Sequence, residues 1–137
     1  SGRVLKHVLT NTGDCYRYEA DVTFADGTRG FSIGLRAQES DDEFYSFTFE
    51  CPKDRVIFEK SPNWPWPQMN NMGLERLIRL VPGKKYHVQI IVDDTIATLY
   101  VDGVALNTRM YTSPGDGICL GVIDGSAVFE NQSIAYI

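Results

Sequence analysis

Charged and hydroxyl side chains alternate with apolar ones along three consecutive segments between residues 31 and 60. Pairing these segments as antiparallel strands, with the apolar side chains on one face, collects the polar side chains on the other face. A two-residue turn at Pro52-Lys53 is expected to connect the second segment to the third. The predicted neighbours are Arg36 opposite Ser46, Gly34 opposite Thr48, Ser32 opposite Glu50, Glu50 beside Arg55, and Ser46 near Glu59.

A loop rich in proline and tryptophan follows this polar patch. Residues 61–73 read SPNWPWPQMNNMG, so Trp64 and Trp66 stand among three prolines that fix the backbone. Charged forks that bridge neighbouring hydroxyls, together with an aromatic ring that covers the apolar ring face, form the usual chemistry of sugar binding. The alternative for the patch is a solvated sheet face with cross-strand ion pairs worth about 0.2–1 kcal/mol each. For the tryptophans, the alternatives are a local plug at one end of the fold or a contact with another domain.

Arg109 is a further candidate, because it shares a predicted strand face with Asn107 and Tyr111. Its interpretation stays open between a structural ion pair and a ligand contact. A buried arginine needs a carboxylate partner. The carboxylates considered are Glu50, Asp124 and Glu130.

The elements that must position these residues are short strands. Asp-Gly turns at 26–27, 102–103 and 124–125 stand between alternating apolar runs, which is a strong hairpin signal. Counting all such runs gives roughly eleven strands with turns every ~8–12 residues. We therefore predict one all-β domain over residues 1–137, a two-sheet antiparallel β-sandwich of the jelly-roll or concanavalin A-like type with about five or six strands per sheet.

Composition narrows the classes of function. The chain of 137 residues has a net charge of −5, which argues against nucleic acid or an anionic membrane as the main partner. Its three cysteines cannot all pair, so reduced thiols and a slight preference for a reducing compartment are expected. No zinc spacing, nucleophile elbow or phosphate loop is present, and no cofactor is predicted. Calcium held by turn aspartates is the alternative left open.

Several motifs resemble the C-terminal β-sandwich of glycoside hydrolase family 32. They are NTRMY (107–111), GICL (117–120), GSAVFEN (125–131), GLRA (34–37) and DRVIFEK (54–60). The family commonly has Asp-Arg where this chain has Glu59-Lys60, and tryptophan where it has Tyr136. The resemblance implies a parent enzyme that cleaves fructosides. It also implies a sandwich similar to carbohydrate-binding module family 66, which binds fructans.

Catalysis is not predicted for this chain. Glu50-Cys51-Pro52 repeats the tripeptide that carries the acid/base glutamate of the family's catalytic propeller. A glycosidase needs a second carboxylate, and neither the Trp-x-Asn-Asp-Pro-Asn-like nor the Arg-Asp-Pro motif of the family is present.

The predicted function is therefore a non-catalytic accessory domain, a C-terminal fragment of a fructan- or sucrose-cleaving glycoside hydrolase. It would bind fructose-containing glycans or support the catalytic propeller of the same parent chain. The alternatives are a laminin-G-like or lectin-like adhesion module and, least favoured, an autonomous enzyme. The predicted sugar contacts are Arg36, Glu50, Arg55, Trp64, Trp66 and Arg109.

Overall fold

The computed structural model describes residues 3–9, 12–37, 44–61, 76–110 and 117–137. These residues form eleven strands and one turn of 3-10 helix, Cys51–Lys53, with no α-helix among them. The strands are β1 Arg3–Leu9, β2 Cys15–Phe24, β3 Gly30–Ala37, β4 Phe44–Glu50, β5 Arg55–Ser61, β6 Arg76–Leu77, β7 Tyr86–Asp93, β8 Ile96–Val101, β9 Val104–Met110, β10 Gly117–Ile123 and β11 Ala127–Tyr136.

The strands form two antiparallel sheets that pack into a sandwich. The six-stranded sheet has the order β1-β10-β3-β4-β5-β6, and the five-stranded sheet has the order β11-β2-β7-β8-β9. The predicted all-β class, the number of strands and their division between two sheets are confirmed. None of the described residues forms a helix long and apolar enough to span a membrane.

The hydrophobic core follows from strict alternation along the strands. In β2, every second residue from Tyr16 to Phe24 is buried, and its neighbours face outward. In the six-stranded sheet, Phe31 stacks on Phe49 with ring centroids 4.4 Å apart, while Phe47 contacts Phe58 at 4.9 Å. Because these aromatic rings all lie between the sheets, the other face of the six-stranded sheet is free to carry polar residues.

The register predicted between β3 and β4 was wrong by two residues. Gly34 pairs with Ser46, Ser32 with Thr48, and Gly30 with Glu50. A shift of two residues keeps every side chain on its predicted face, so the alternation alone cannot detect it. The observed register requires glycine at the end of the ladder, because a methyl group at Gly30 would lie 2.8 Å from the Phe49 carbonyl oxygen.

The connection between β4 and β5 also differs from the prediction. It is a four-residue turn, Cys51 to Asp54, rather than two residues at Pro52-Lys53. Asp54 closes it in the left-handed conformation with φ 48°, and its carboxylate accepts the Leu80 N–H at 2.9 Å. The predicted pairs of Glu50 with Arg55 and of Ser46 with Glu59 are nevertheless correct.

All three cysteines are free thiols, and two of them, Cys51 and Cys119, are buried. Burial raises the pKa of the Cys51 thiol to about 12, so it stays protonated at neutral pH. The thiol next to Glu50 is therefore a packing group rather than a nucleophile.

Candidate functional site

The outer face of the six-stranded sheet holds the most concentrated polar chemistry that the sequence predicted. At the end of the face where β4 leads into β5, the Arg55 Nε donates a hydrogen bond to the Glu50 carboxylate. The two side chains are 22% and 12% exposed, so the pair is mostly desolvated yet reaches solvent. A charge-assisted bond of this kind orients both groups.

Around this pair, the same face is lined with small and hydroxyl-bearing side chains. Ser46 and Thr48 form a hydroxyl–hydroxyl hydrogen bond of 3.0 Å. Besides Glu50, the buried polar residues of this face are Ser32, Ser46, Thr48 and Glu59, with exposures of 4%, 4%, 1% and 2%. The alternative of an ordinary solvated sheet face therefore does not hold for these residues. The side chains of Glu50 and Arg55 keep more contact with solvent.

The two glutamates of this face lie at different heights along the sheet. Glu50 pairs with Arg55, and Glu59 lies four residues further along β5. At 3.3 Å per residue, the backbone separates the two positions by roughly 13 Å.

For four of the six predicted sugar contacts, the structure describes only the backbone or does not describe the residue. Arg36 lies near the end of β3 and Arg109 near the end of β9, but both side chains are outside the described residues. Trp64 and Trp66 also lie outside the described residues. The structure therefore brings Glu50 and Arg55 together, while the part of the other four residues in the site stays a prediction.

Arg109 lies on β9 of the five-stranded sheet, where its backbone pairs with Ala97, whereas Glu50 and Arg55 lie on the other sheet. The three carboxylates considered as its partners each contact another cation. Glu50 contacts Arg55, Asp124 lies 3.3 Å from Arg29, and Glu130 lies 3.4 Å from Lys85. The structural ion pair considered for Arg109 stays a prediction.

A second polar cluster, which was not predicted from the sequence, lies on the outer face of the five-stranded sheet. His87 on β7 contacts Asp21 and Glu19 on β2, at 2.8 and 2.9 Å. Arg17 adds an ion pair of 3.1 Å to Glu19. The signal was present in the sequence, since Arg17, Glu19 and Asp21 alternate with apolar residues, but its partner strand could not be known.

A pocket of about 390 Å³ lies apart from both clusters, where the end of β2 meets the start of β11. Its lining includes Phe24, Pro82 and Val128 and none of the predicted sugar contacts. Within the described ranges, no group of three or more His, Cys, Asp or Glu side chains is arranged to hold a metal ion.

Three solved structures have folds similar to this one. The carbohydrate-binding module CBM66 from Bacillus subtilis matches with a TM-score of 0.78 at 21% identity, covering 98% of this chain and 82% of the module. The chain therefore shares a β-sandwich fold with that module. Galectin LEC-6 from Caenorhabditis elegans matches with a TM-score of 0.69 at 16% identity over 97% of this chain and 90% of its own. Sheep galectin-11 matches with a TM-score of 0.63 at 13% identity, and the match covers 98% of each chain.

At these identities the likeness concerns the fold, and it confirms the predicted similarity to family 66 modules at that level. No protein-family model and no curated protein sequence matches the chain. The assignment to glycoside hydrolase family 32 stays a prediction.

Proposed function

We propose that this chain is a non-catalytic glycan-binding domain that serves a fructan- or sucrose-cleaving glycoside hydrolase. One observation carries the proposal: 98% of the chain superposes on a carbohydrate-binding module with a TM-score of 0.78. The sequence motifs that resemble family 32 supply the fructan class of ligand and the parent enzyme. In that setting, the catalytic propeller of the parent chain is the second partner.

The proposed sugar site is centred on Glu50 and Arg55. Their ion pair is fixed in orientation and partly exposed, so it can bridge two neighbouring hydroxyls of a fructosyl unit. The buried hydroxyls of Ser32, Ser46 and Thr48 lie on the same face of the sheet. Arg36, Trp64 and Trp66 are proposed to complete the site, with a tryptophan covering the apolar face of the sugar. Arg109 is left out of this proposal, because β9 belongs to the other sheet.

The galectin-like fold supports a second candidate, a lectin-like module for another glycan. The two candidates predict different ligand preferences on the same scaffold. A panel of levan and inulin oligosaccharides, with lactose and cellobiose as unrelated neutral sugars, distinguishes them. Preference for the fructans supports the first candidate, and preference for an unrelated sugar supports the second.

Isothermal titration tests the site. A shallow site gives a Kd of about 1 mM, or ~−4 kcal/mol. Arg55→Ala removes a charged hydrogen bond worth ~1.5–3 kcal/mol and is expected to weaken fructan binding by about tenfold or more. Arg55→Lys keeps the positive charge but loses the forked guanidinium donors. Its affinity for fructan is expected to lie between those of the wild type and Arg55→Ala.

The matched control is Arg17→Ala, which removes an arginine from the outer face of the other sheet. It is expected to bind like the wild type. Equal affinity of the wild type and Arg55→Ala, with both folded by circular dichroism, would place the sugar elsewhere. No binding of any sugar by the wild type would leave the domain with a supporting role in its parent enzyme.

A further inference from the structure

A hydrogen-bonded network joins three strands on the outer face of the five-stranded sheet, away from the proposed sugar site. His87 of β7 lies at its centre, with Nδ1 2.8 Å from the Asp21 carboxylate and Nε2 2.9 Å from the Glu19 carboxylate. Asp21 is its direct cross-strand neighbour, and Glu19 lies two residues further along β2. Both nitrogens of one imidazole therefore face carboxylate oxygens.

This geometry defines the protonation state in which the network is complete. A carboxylate accepts hydrogen bonds, and a neutral imidazole has one N–H to donate, whereas imidazolium has two. Both contacts are satisfied together only when His87 carries its proton. In agreement, hydrogen bonds to Asp21 and Glu19 raise the pKa of His87. Hydrogen bonds from Asn131 and His87 lower the pKa of Asp21.

The network reaches the edge strand β11 where its backbone pairing is interrupted. The ladder between β11 and β2 shifts between Glu130 and Ser133, and Asn131 adopts a left-handed conformation with φ 52°. Such a bulge leaves residues without ladder partners. There, the Asn131 side-chain amide donates to the second Asp21 oxygen at 2.9 Å. The chain of contacts is thus His87, Asp21, Asn131.

We propose that protonated His87 stabilises the attachment of edge strand β11 to the sheet at its bulge. The contacts from His87 through Asp21 to Asn131 are called the clasp below. In the protonated state, His87 holds the Asp21 carboxylate in the orientation that accepts from Asn131. Loss of the proton removes one of the two imidazole N–H donors, which releases a carboxylate and loosens the bulge. The clasp then gives β11 a local opening equilibrium that depends on pH.

Other charged groups near His87 lie on the strands and turns next to it. On β2, Arg17 contacts Glu19 at 3.1 Å. At the turn after β8, the Asp102 carboxylate accepts the His87 backbone N–H at 2.9 Å. On β11, Glu130 lies 3.4 Å from Lys85, which precedes β7. The chain has one further histidine, His7, which lies on β1 of the other sheet.

The direction of the pH effect follows from linkage. The folded-state pKa of His87 lies above its ordinary value of 6.5. The stabilisation is therefore fully present below about pH 6.5 and is lost as the pH rises through the folded-state pKa. The clasp is closed in mildly acidic solution and opens towards alkaline pH.

Amide hydrogen exchange by NMR between pH 5.5 and 8.5 tests the clasp, with the His87 ring protons followed in the same samples. After correction for intrinsic exchange, amides of β11 beside the bulge are expected to exchange about two- to fivefold faster above the His87 pKa than below it, a change typical of exposed charge pairs. Amides of β8 are expected to stay constant.

Three variants sharpen the test. In His87→Gln, the exchange of β11 is expected to be fast and independent of pH, and Asn131→Ala should do the same while leaving His87 to titrate. His7→Gln is the matched control and should behave like the wild type. A His87 pKa below 6.5, or the same pH profile of β11 in the wild type and in both clasp variants, would overturn the proposal.

Discussion

At the scale of single residues, buried polar atoms show where the sandwich departs from a simple apolar core. Asn107 of β9 pairs with the buried Leu99 and is itself 3% exposed. Both polar atoms of its amide are buried and have no hydrogen-bond partner among the described residues. A buried amide without partners costs about 1–3 kcal/mol.

We therefore predict that Asn107→Leu stabilises the fold. Leucine has the same number and branching of heavy atoms, so it removes the desolvation cost while filling the space. The expected gain is about 1 kcal/mol in the free energy of unfolding, measured by urea denaturation. Ala105→Leu, at an exposed position of the same strand, serves as the control and should be close to neutral. A loss of stability in Asn107→Leu would show that the amide contributes favourably in the folded state.

At the scale of elements, the turns decide how the two sheets are joined. The turn between β10 and β11 lies against Thr28, whose hydroxyl donates to the Ser126 carbonyl and accepts from the Ser126 N–H, both at 3.1 Å. A methyl group at Gly125 would lie 2.6 Å from the Thr28 Cα. Backbone would have to move to admit it.

Gly125→Ala is accordingly expected to lower the free energy of unfolding by about 1–3 kcal/mol, as overpacking commonly does. Ser126→Ala is the matched control, because Ser126 contacts Thr28 through its backbone. Thermal denaturation of the two variants gives the comparison. Equal stability of both would mean that the turn relaxes without cost and does not lock the sheets together.

The strands and their connections also show how much of the fold can be predicted from the sequence. Alternation and Asp-Gly turns were enough to predict the strands, and the short connection after Glu50 was enough to predict its pairing with Arg55. The register of β3 against β4 could not be predicted in this way, because a shift of two residues leaves every side chain on the same face of the sheet. The close approach of the Phe49 carbonyl to Gly30 is seen only in the folded structure. The His87 network was missed for a similar reason, because Asp21 and His87 are 66 residues apart in sequence.

At the scale of the whole molecule, the two sheets have different outer faces. The six-stranded sheet carries buried hydroxyls around one partly exposed ion pair, whereas the five-stranded sheet carries an exposed charged network. The sequence predicted the composition of the first face but not its burial. Burial depends on the whole fold. The same alternation of polar residues is found whether water or protein covers them, so the pattern cannot predict burial.

This difference between the faces makes the central claim directly testable. Amide chemical shifts of the ¹⁵N-labelled wild type, followed during titration with levan oligosaccharides to tens of millimolar, locate the bound sugar if the Kd is about 1 mM. We predict that the shifts concentrate at Glu50 and Arg55 and at the neighbouring Thr48, with His87 and β11 unaffected. Shifts centred on the five-stranded sheet, or none at saturating sugar, would contradict the account.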